Sequence, residues 1–537
     1  MRAVSAISQA RPGPALRASA RVPSWWPLAA LTLLAAALRL STLDLQSFWY
    51  DEAFTPVRVL HSSLWATLRG VAHTENTPPL WYTITWLDSR VLGTGEVALR
   101  LPSALAGIAT VPVAWAIGRE LAGRRVAILT AALVAVNPLF VWYSQEARAY
   151  GLFVLTSALA MLFFLRADRR LGDDAAPTDW RAPELAGFAL TGSLALLTHY
   201  FAVFLLIPMA LWLLRDARRR RAALPALGVL AVVGLALLPL ISSQRGHGTQ
   251  WIGRWPLPER LEAIVQYYLT GYSGAPLGHA VELLVALPVL AGVALGAWRL
   301  LEPPPLPSGV DAATADGRVG APAPTDPCSQ TARTGAVIAL LVAGGGVLIP
   351  VALALLGADY LAPRNLVGAM IPVTALIAVL ALGPRTGRAG IAVAATSVLA
   401  LLIVSVDVDL SPRLQRGNWR GLAHELRGGP RERAITSVEL GGVPLQYYLP
   451  SLHNLPRRRS VTLTEIDETG YAPLRRSAGR PPAPGFRLLE RRKIDGLILY
   501  RFRSPVPRPV SAAVLRRRVI TRARPEVLVP RGIQTSG

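Results

Sequence analysis

Residues 78–93 read PPLWYTITWLDSRVLG, and whether this stretch crosses a membrane decides the topology around it. It is apolar at its start, but Asp88 and Arg90 fall near its end. Around it lie eleven runs that approach the ~20 apolar residues a span needs, at 24–42, 98–118, 126–143, 149–166, 185–199, 200–215, 222–241, 280–299, 335–356, 364–383 and 389–406. Hydrophobic residues make up 52% of the 537, and charged residues only 17%. A soluble domain carries roughly 25% charged residues, so a cytosolic enzyme and a disordered chain are both excluded. The single cysteine, Cys328, excludes an internal disulfide scaffold. The expected fold class is an α-helical polytopic membrane protein of about eleven spans.

Parity decides 78–93. The first residues hold Arg2, Arg11, Arg17 and Arg21 and no acid, and no clear small-residue cleavage site follows. The run 24–42 therefore reads as an uncleaved first span, with the N-terminus inside. If 78–93 does not cross, Arg119, Arg124, Arg125, Arg166, Arg169, Arg170, Arg215, Arg218 to Arg221, Arg299, Arg385 and Arg388 all fall in the cytoplasm. If it crosses, all fall outside. The positive-inside rule selects the first arrangement, and 78–93 becomes an amphipathic helix in the outer interface. The same parity gathers 43–97, 144–148, the turn at His199 and Tyr200, 242–279, 357–363 and everything after Asp407 on the outer face.

The chain thus divides into a cytoplasmic tail 1–23, a transmembrane unit 24–406 and an extracytoplasmic domain 407–537. Residues 43–97 form the first outer loop, and 301–334, rich in Pro, Ala and Gly, reads as a flexible cytoplasmic linker. The domain 407–537 has strand-like runs at 433–438 and 496–501 and a helical stretch at 418–428, so a small α/β fold is expected. It holds 25 basic and 11 acidic residues, net +14, which suits anionic lipid headgroups or an anionic lipid substrate; a merely solvated Arg-rich surface accounts for it equally. The net charge of the whole chain, +23, does not point to nucleic acid, because its basic residues cluster beside apolar runs.

Ser47-Phe48-Trp49-Tyr50-Asp51-Glu52-Ala53 is the sharpest chemical feature. Carboxylates beside a bilayer are costly and point to function by default. Asp51 or Glu52 can take the proton of an attacking hydroxyl; solvated loop acids or a helix cap are the plain alternative. In Glu75-Asn76-Thr77-Pro78-Pro79, Glu75 has catalytic or metal-binding potential, while Asn76 or Thr77 equally fits a helix cap. Trp142-Tyr143-Ser144-Gln145-Glu146-Ala147-Arg148-Ala149-Tyr150 joins two spans on the outer side. Arg148 offers a planar fork for phosphate, or a structural pair with Glu146. His199 and Tyr200 sit where two spans meet, and a lone His is more often structural than catalytic. Tyr360 and Arg364 flank a late outer turn; Arg364 is a second phosphate candidate, or snorkels to headgroups. No Walker loop, zinc-spaced Cys/His set, Gly-x-Ser-x-Gly or strand-linked GxGxxG occurs. A donor would then be lipid-linked rather than a nucleotide sugar.

Together these residues resemble the GT-C membrane glycosyltransferases, in particular the bacterial relatives of protein O-mannosyltransferases and the lipid A aminoarabinose transferases of glycosyltransferase family 39 and its neighbours. The resemblance runs from Leu43 to about Tyr200 and returns at Tyr360 to Pro372 and at Asn418-Trp419-Arg420. Its motifs are Trp49-Tyr50-Asp51-Glu52-Ala53, Thr77-Pro78-Pro79-Leu80-Trp81-Tyr82, Arg100-Leu101-Pro102-Ser103 and Trp142 to Arg148, in family order. It implies many transmembrane helices with interfacial helices in the first outer loop. It also implies inverting transfer from a polyprenyl-phosphate sugar to a cell-envelope glycan, lipid or protein. Asp51 falls on the family's catalytic carboxylate; Glu52, Glu75, Asn76, Glu146, Arg148, Tyr150, His199, Tyr200, Tyr360 and Arg364 are the expected substrate contacts. The aminoarabinose transferases carry Lys where Thr77 stands, which moves the expected phosphate contact to Arg148 or Arg364. No cofactor is required by this reading, although Asp51 and Glu75 are compatible with a shared divalent cation. The competing class is a transporter or lipid-linked-sugar flippase, which would favour internal repeats and broken helices; no repeat is present.

Overall fold

The computed structural model describes residues 25–173, 181–271, 277–302, 327–517, 520 and 525–536. The expected tail 1–23 and most of the linker 301–334 lie outside the described residues. Twenty α-helices and seven strands order the described chain. Helix α1 (Trp26–Leu40) leads to the short α2 (Tyr50–Phe54), then α3 (Leu64–Thr74) and α4 (Leu80–Leu92). The bundle continues through α5 (Glu96–Ala122), α6 (Arg124–Val136), α7 (Pro138–Ser144), α8 (Tyr150–Gly172), α9 (Pro183–Thr198), α10 (Ala202–Leu213), α11 (Ala217–Ala236) and α12 (Leu238–Gln244). It closes with α13 (Leu257–Thr270), α14 (His279–Leu301), α15 (Pro327–Leu355), α16 (Met370–Leu382) and α17 (Gly387–Leu410).

Seven helical segments among the described residues are long and apolar enough to cross a membrane, or eight if the bent pair α6 and α7 counts as one span. The chain is a multi-pass membrane protein. The runs expected at 24–42, 185–199 and 200–215 are helices of 15, 16 and 12 residues. The first and third are shorter than expected, while α9 matches its run, and the turn expected at His199 and Tyr200 is present. Helix α4 has 13 residues, about 20 Å at 1.5 Å per residue, short of the ~30 Å hydrocarbon core. It begins at Leu80, directly after the two prolines, and ends at Gly93, whose φ of 82° suits glycine. It packs Trp81 and Tyr82 against the bundle.

The break between α6 and α7 bends the pair by 55°. Pro138 has no amide hydrogen, and Asn137 caps α7 by accepting from the Leu139 amide at 2.9 Å. The break frees carbonyls at the end of α6. Arg39 of α1, fully buried, answers them by donating to the Val134 carbonyl at 3.0 Å and the Ala135 carbonyl at 2.9 Å. Gly107 of α5 makes room here: a Cβ would lie 2.0 Å from Ser144 Oγ.

The loops sort to the two ends of the helices. At one end Glu120 meets Arg166 and Arg169, Asp168 meets Arg215 and Arg219, and Arg170 meets Glu184. At the other end lie α2, α3, α4, the segment 145–149, the turn 199–201 and the turn 359–363.

The expected domain 407–537 rests on that second end, its own elements beginning after α17, which runs to Leu410. It comprises α18 (Trp419–Leu426), β1 (Arg433–Ser437), α19 (Gly442–Tyr448), β2 (Leu452–Asn454), β3 (Ser460–Gly470), β4 (Arg487–Ile494), β5 (Leu497–Ser511), α20 (Ala512–Arg517), β6 (Glu526–Pro530) and β7 (Thr535–Ser536). The sheet order is β2-β6-β1-β3-β5-β4, with β7 also pairing β3; β1 and β3 are parallel and the other pairs antiparallel. Alternation along the strands feeds two cores. Ala434, Val527, Val529 and Phe502 enter one; Ile435, Leu528 and Leu499 enter the other, where Trp419, Leu422 and Trp49 also pack. Trp49 belongs to the first loop, so the domain's core is completed by the bundle.

Candidate active site

Hydrogen bonds between the chain after α17 and the segment before α2 fix that segment, and Arg420 donates to the Asp44 carbonyl at 2.8 Å. The Trp419 amide donates to Ser47 Oγ at 2.9 Å, and Ser47 Oγ donates to the Gly417 carbonyl at 3.3 Å. The Phe48 amide donates to the Tyr448 hydroxyl at 2.8 Å, and the Arg416 amide to Gln46 Oε1 at 3.3 Å. Within α2 the two acids diverge. Glu52 is fully buried. The Arg100 fork holds both its oxygens, Nε to Oε1 and Nη2 to Oε2, each at 2.7 Å. The Ala147 amide adds a bond at 2.9 Å, and Arg416 stands 3.6 Å away. Burial pushes the Glu52 carboxyl up, but Arg100, Arg416 and the Ala147 amide outweigh it and hold the group below its ordinary value. Glu52 therefore fastens α2 to α5 and leaves little for a ligand.

Asp51 keeps a side-chain exposure of 20%. Its Oδ2 lies 2.6 Å from Arg364 Nη1, and the Arg364 guanidinium in turn sits 5.1 Å from the Trp251 ring. Arg148 reaches the Asp51 carbonyl at 3.5 Å and Glu75 Oε2 at 3.0 Å. The Tyr82 hydroxyl donates to the same Oε2 at 2.5 Å, while Glu75 Oε1 is buried with no hydrogen-bond partner. Tyr150 is buried beside Tyr143, within electrostatic reach of Arg364, Arg148 and Asp51.

The pairing of Arg148 with Glu146, one of the two sequence readings, does not form. Arg148 turns to Glu75, and Glu146, almost fully buried, meets Arg416 Nη2 at 2.9 Å. Burial, with Glu52 and Asp51 nearby, pushes the Glu146 carboxyl up, while Arg416 and Arg364 pull it back. His199 stacks on Phe153 at 4.7 Å and accepts the Phe201 amide at 3.2 Å, which makes it the pivot of its turn. Tyr200 donates to Gln244 Oε1 at 2.7 Å, and Gln244 Nε2 spans to the Val71 and Thr77 carbonyls. Asn76 donates to the His247 carbonyl at 3.4 Å. Neither Asn76 nor Thr77 caps α4: the N-cap is Pro79, without a side-chain bond. Tyr360 is 46% exposed at the rim. The turn it occupies is set by Arg260, which forks onto Asp359 at 2.6 and 2.7 Å.

The structure thus gathers Asp51, Glu75, Arg148, Tyr150 and Arg364 about one point, with Glu52 and Glu146 immediately behind. Sequence reasoning missed Arg416, Arg260 and Trp251. Arg416 is one of 25 basic residues after position 406, and no local pattern marks it. Among the described residues no set of three or more His, Cys, Asp or Glu side chains could hold a metal.

Residues 76–242 match the model of a family described as dolichyl-phosphate-mannose-protein mannosyltransferase, which bears out the resemblance drawn from the motifs. No curated protein matches the sequence. Among solved structures, the chain is similar to ArnT from Cupriavidus metallidurans bound to undecaprenyl phosphate, at 12% identity and TM-score 0.49, over 89% of this chain and 98% of that one. It is also similar to the oligosaccharyltransferase AglB from Archaeoglobus fulgidus, at 13% identity and TM-score 0.48, over 79% of this chain. That alignment spans 59% of the archaeal enzyme. The Saccharomyces cerevisiae protein O-mannosyltransferase complex Pmt1-Pmt2 matches at 18% identity and TM-score 0.31, over 42% of this chain and 34% of that one.

Proposed function

We propose that this protein is an integral membrane glycosyltransferase. It moves a sugar, with inversion, from a polyprenyl-phosphate donor to an extracytoplasmic acceptor, a cell-envelope glycan, lipid or protein. The end of the bundle that carries Asp51 and the domain 407–537 then face outward, and the arginine-rich end lies in the cytoplasm. The observation that carries the reading is the contrast among four neighbouring carboxylates. All four are engaged by arginine, but the Glu52, Glu75 and Glu146 side chains are 0%, 4% and 1% exposed, whereas Asp51, paired with Arg364, keeps 20% and stays open to an acceptor.

In this reading Asp51 takes the proton of the acceptor hydroxyl, whose oxygen bonds to the anomeric carbon from the face opposite the phosphate. The bond from that carbon to the phosphate oxygen breaks, and polyprenyl phosphate leaves with the electron pair. Arg364 and Arg148 meet the charge that grows on the leaving phosphate. Asn76, Tyr150 and Tyr360 complete the substrate contacts; Glu52, His199 and Tyr200 act through packing. No step is assigned to a metal, since Asp51 and Glu75 each hold an arginine that a cation would have to displace. Asp51→Asn should lower turnover by on the order of 10²-fold or more while insertion in the membrane is unchanged. The check is single-turnover transfer from a short-chain polyprenyl-phosphate sugar; near-normal rates would remove Asp51 as the base.

The transporter reading draws on one feature, the 55° break between α6 and α7. Arg39 occupies the carbonyls freed there, which argues against a binding site at the break.

A further inference from the structure

Arg416 is where the domain 407–537 enters the bundle. Helix α17 ends at Leu410, a short turn follows, and the Arg416 side chain then passes into the protein with 8% exposure. Its guanidinium carbon lies 4.3 Å from the Trp49 ring and 4.5 Å from the Trp142 ring, between two aromatic groups. Its nitrogens reach Glu146 at 2.9 Å and Glu52 at 3.6 Å. The backbone on either side is pinned. Gln415 Nε2 donates to the Asp409 carbonyl at 2.7 Å, and at Gly417 a Cβ would meet Leu497 at 2.9 Å. One side chain therefore touches the segment before α2, α2 itself, and the connection that carries Arg148.

The charges explain why a cation is needed there. Glu52 and Glu146 are buried together and repel each other. Arg100 neutralises Glu52, and Arg416 is the cation in contact with Glu146. Without it Glu146 would lose the guanidinium that touches it, and a buried charge without its partner is strongly destabilising. The strain would fall on α2, which carries the partly exposed Asp51.

We propose that Arg416 is a positioning residue for Asp51, so that the domain 407–537 is a structural part of the catalytic centre as well as a cover over it. The inference rests on Asp51 acting as the base. Arg416 touches no reacting atom; it sets where the base stands.

The test uses the full-length protein in a membrane mimetic. Arg416→Ala should lower kcat on the order of 10²-fold, as expected when a catalytic group is displaced by about 1 Å, with little change in donor KM. Arg416→Lys keeps the charge but not the planar group between the two indoles, and should fall between. Adding Glu146→Gln to Arg416→Ala removes the uncompensated charge and should return part of the lost kcat. An unchanged kcat in folded Arg416→Ala would overturn the proposal. So would a raised donor KM with no recovery in the double variant, since that would place Arg416 on the substrate. A second measurement needs no activity: the melting shifts of Arg416→Ala and Glu146→Gln should be strongly non-additive, and additive shifts would overturn the latch. If the wild-type protein transfers no sugar, the proposed function fails, and this melting cycle still decides the latch by itself.

Discussion

Asp51 and Glu52 follow one another in the chain yet end in different surroundings, because successive residues of a short helix point about 100° apart. One side of α2 faces α5 and the 145–149 connection, and Glu52 lies on it under the Arg100 fork. Asp51 is directed toward Arg364. Glu52→Gln should therefore behave as a stability variant. It leaves Arg100, 2% exposed, with a neutral partner, and breaking a buried pair from one side costs on the order of 3–5 kcal/mol. The melting temperature and yield of Glu52→Gln should drop well below those of Asp51→Asn; equal melting of the two would contradict the division of roles. The acidic pair was legible in the sequence, but which member stays accessible was not. That choice is made by residues 48 and 95 positions away, Arg100 and Ala147, which no local pattern connects to it.

At the scale of the element, hydropathy located the apolar runs but not their breaks. The start of α4 was legible because Pro78 and Pro79 precede it. The bend at Asn137 was not read, although Asn137-Pro138 interrupts the run 126–143; its support, Arg39, comes from another helix. The turn at His199 and Tyr200 was expected where two apolar runs meet; the stacking of His199 on Phe153 that holds it was not. The short α4 bears directly on the proposed topology: a helix of 13 residues that does not cross leaves the domain 407–537 outside. With Cys328 replaced by Ser, a cysteine placed at the exposed Arg487 of β4 should react with an impermeant thiol reagent in intact spheroplasts. Reaction only after lysis would reverse the orientation and remove the outward-facing site.

Across the whole molecule, the sequence foretold a small α/β domain after position 407 but not that it would share a core with the first loop. Its interior also carries a pH-sensitive load. Asp467 of β3 is pushed up to about 6 by burial and by Glu465, against the pull of Arg501 and Arg433. A carboxyl raised by folding is protonated in the fold, so its benign state prevails at low pH. Stability should decline as pH rises from the ordinary carboxylate range, ~3.9, toward about 6. The unfolding temperature of the full-length protein should fall between about pH 4 and pH 6 and level off above it, and Asp467→Asn should flatten the decline. An identical slope in the variant would assign the effect elsewhere. The bonds that join this domain to α2 have one more implication. Ser47 and Gly417 are 370 residues apart in the chain. While the ribosome is still making the protein, the spans up to α17 can already sit in the bilayer, yet the segment before α2 lacks its hydrogen bonds to Gly417, Trp419 and Tyr448. A nascent or C-terminally clipped chain would be inserted but idle; in the proposed orientation, the cell acquires a working copy only after the final domain has been delivered across the membrane and folded.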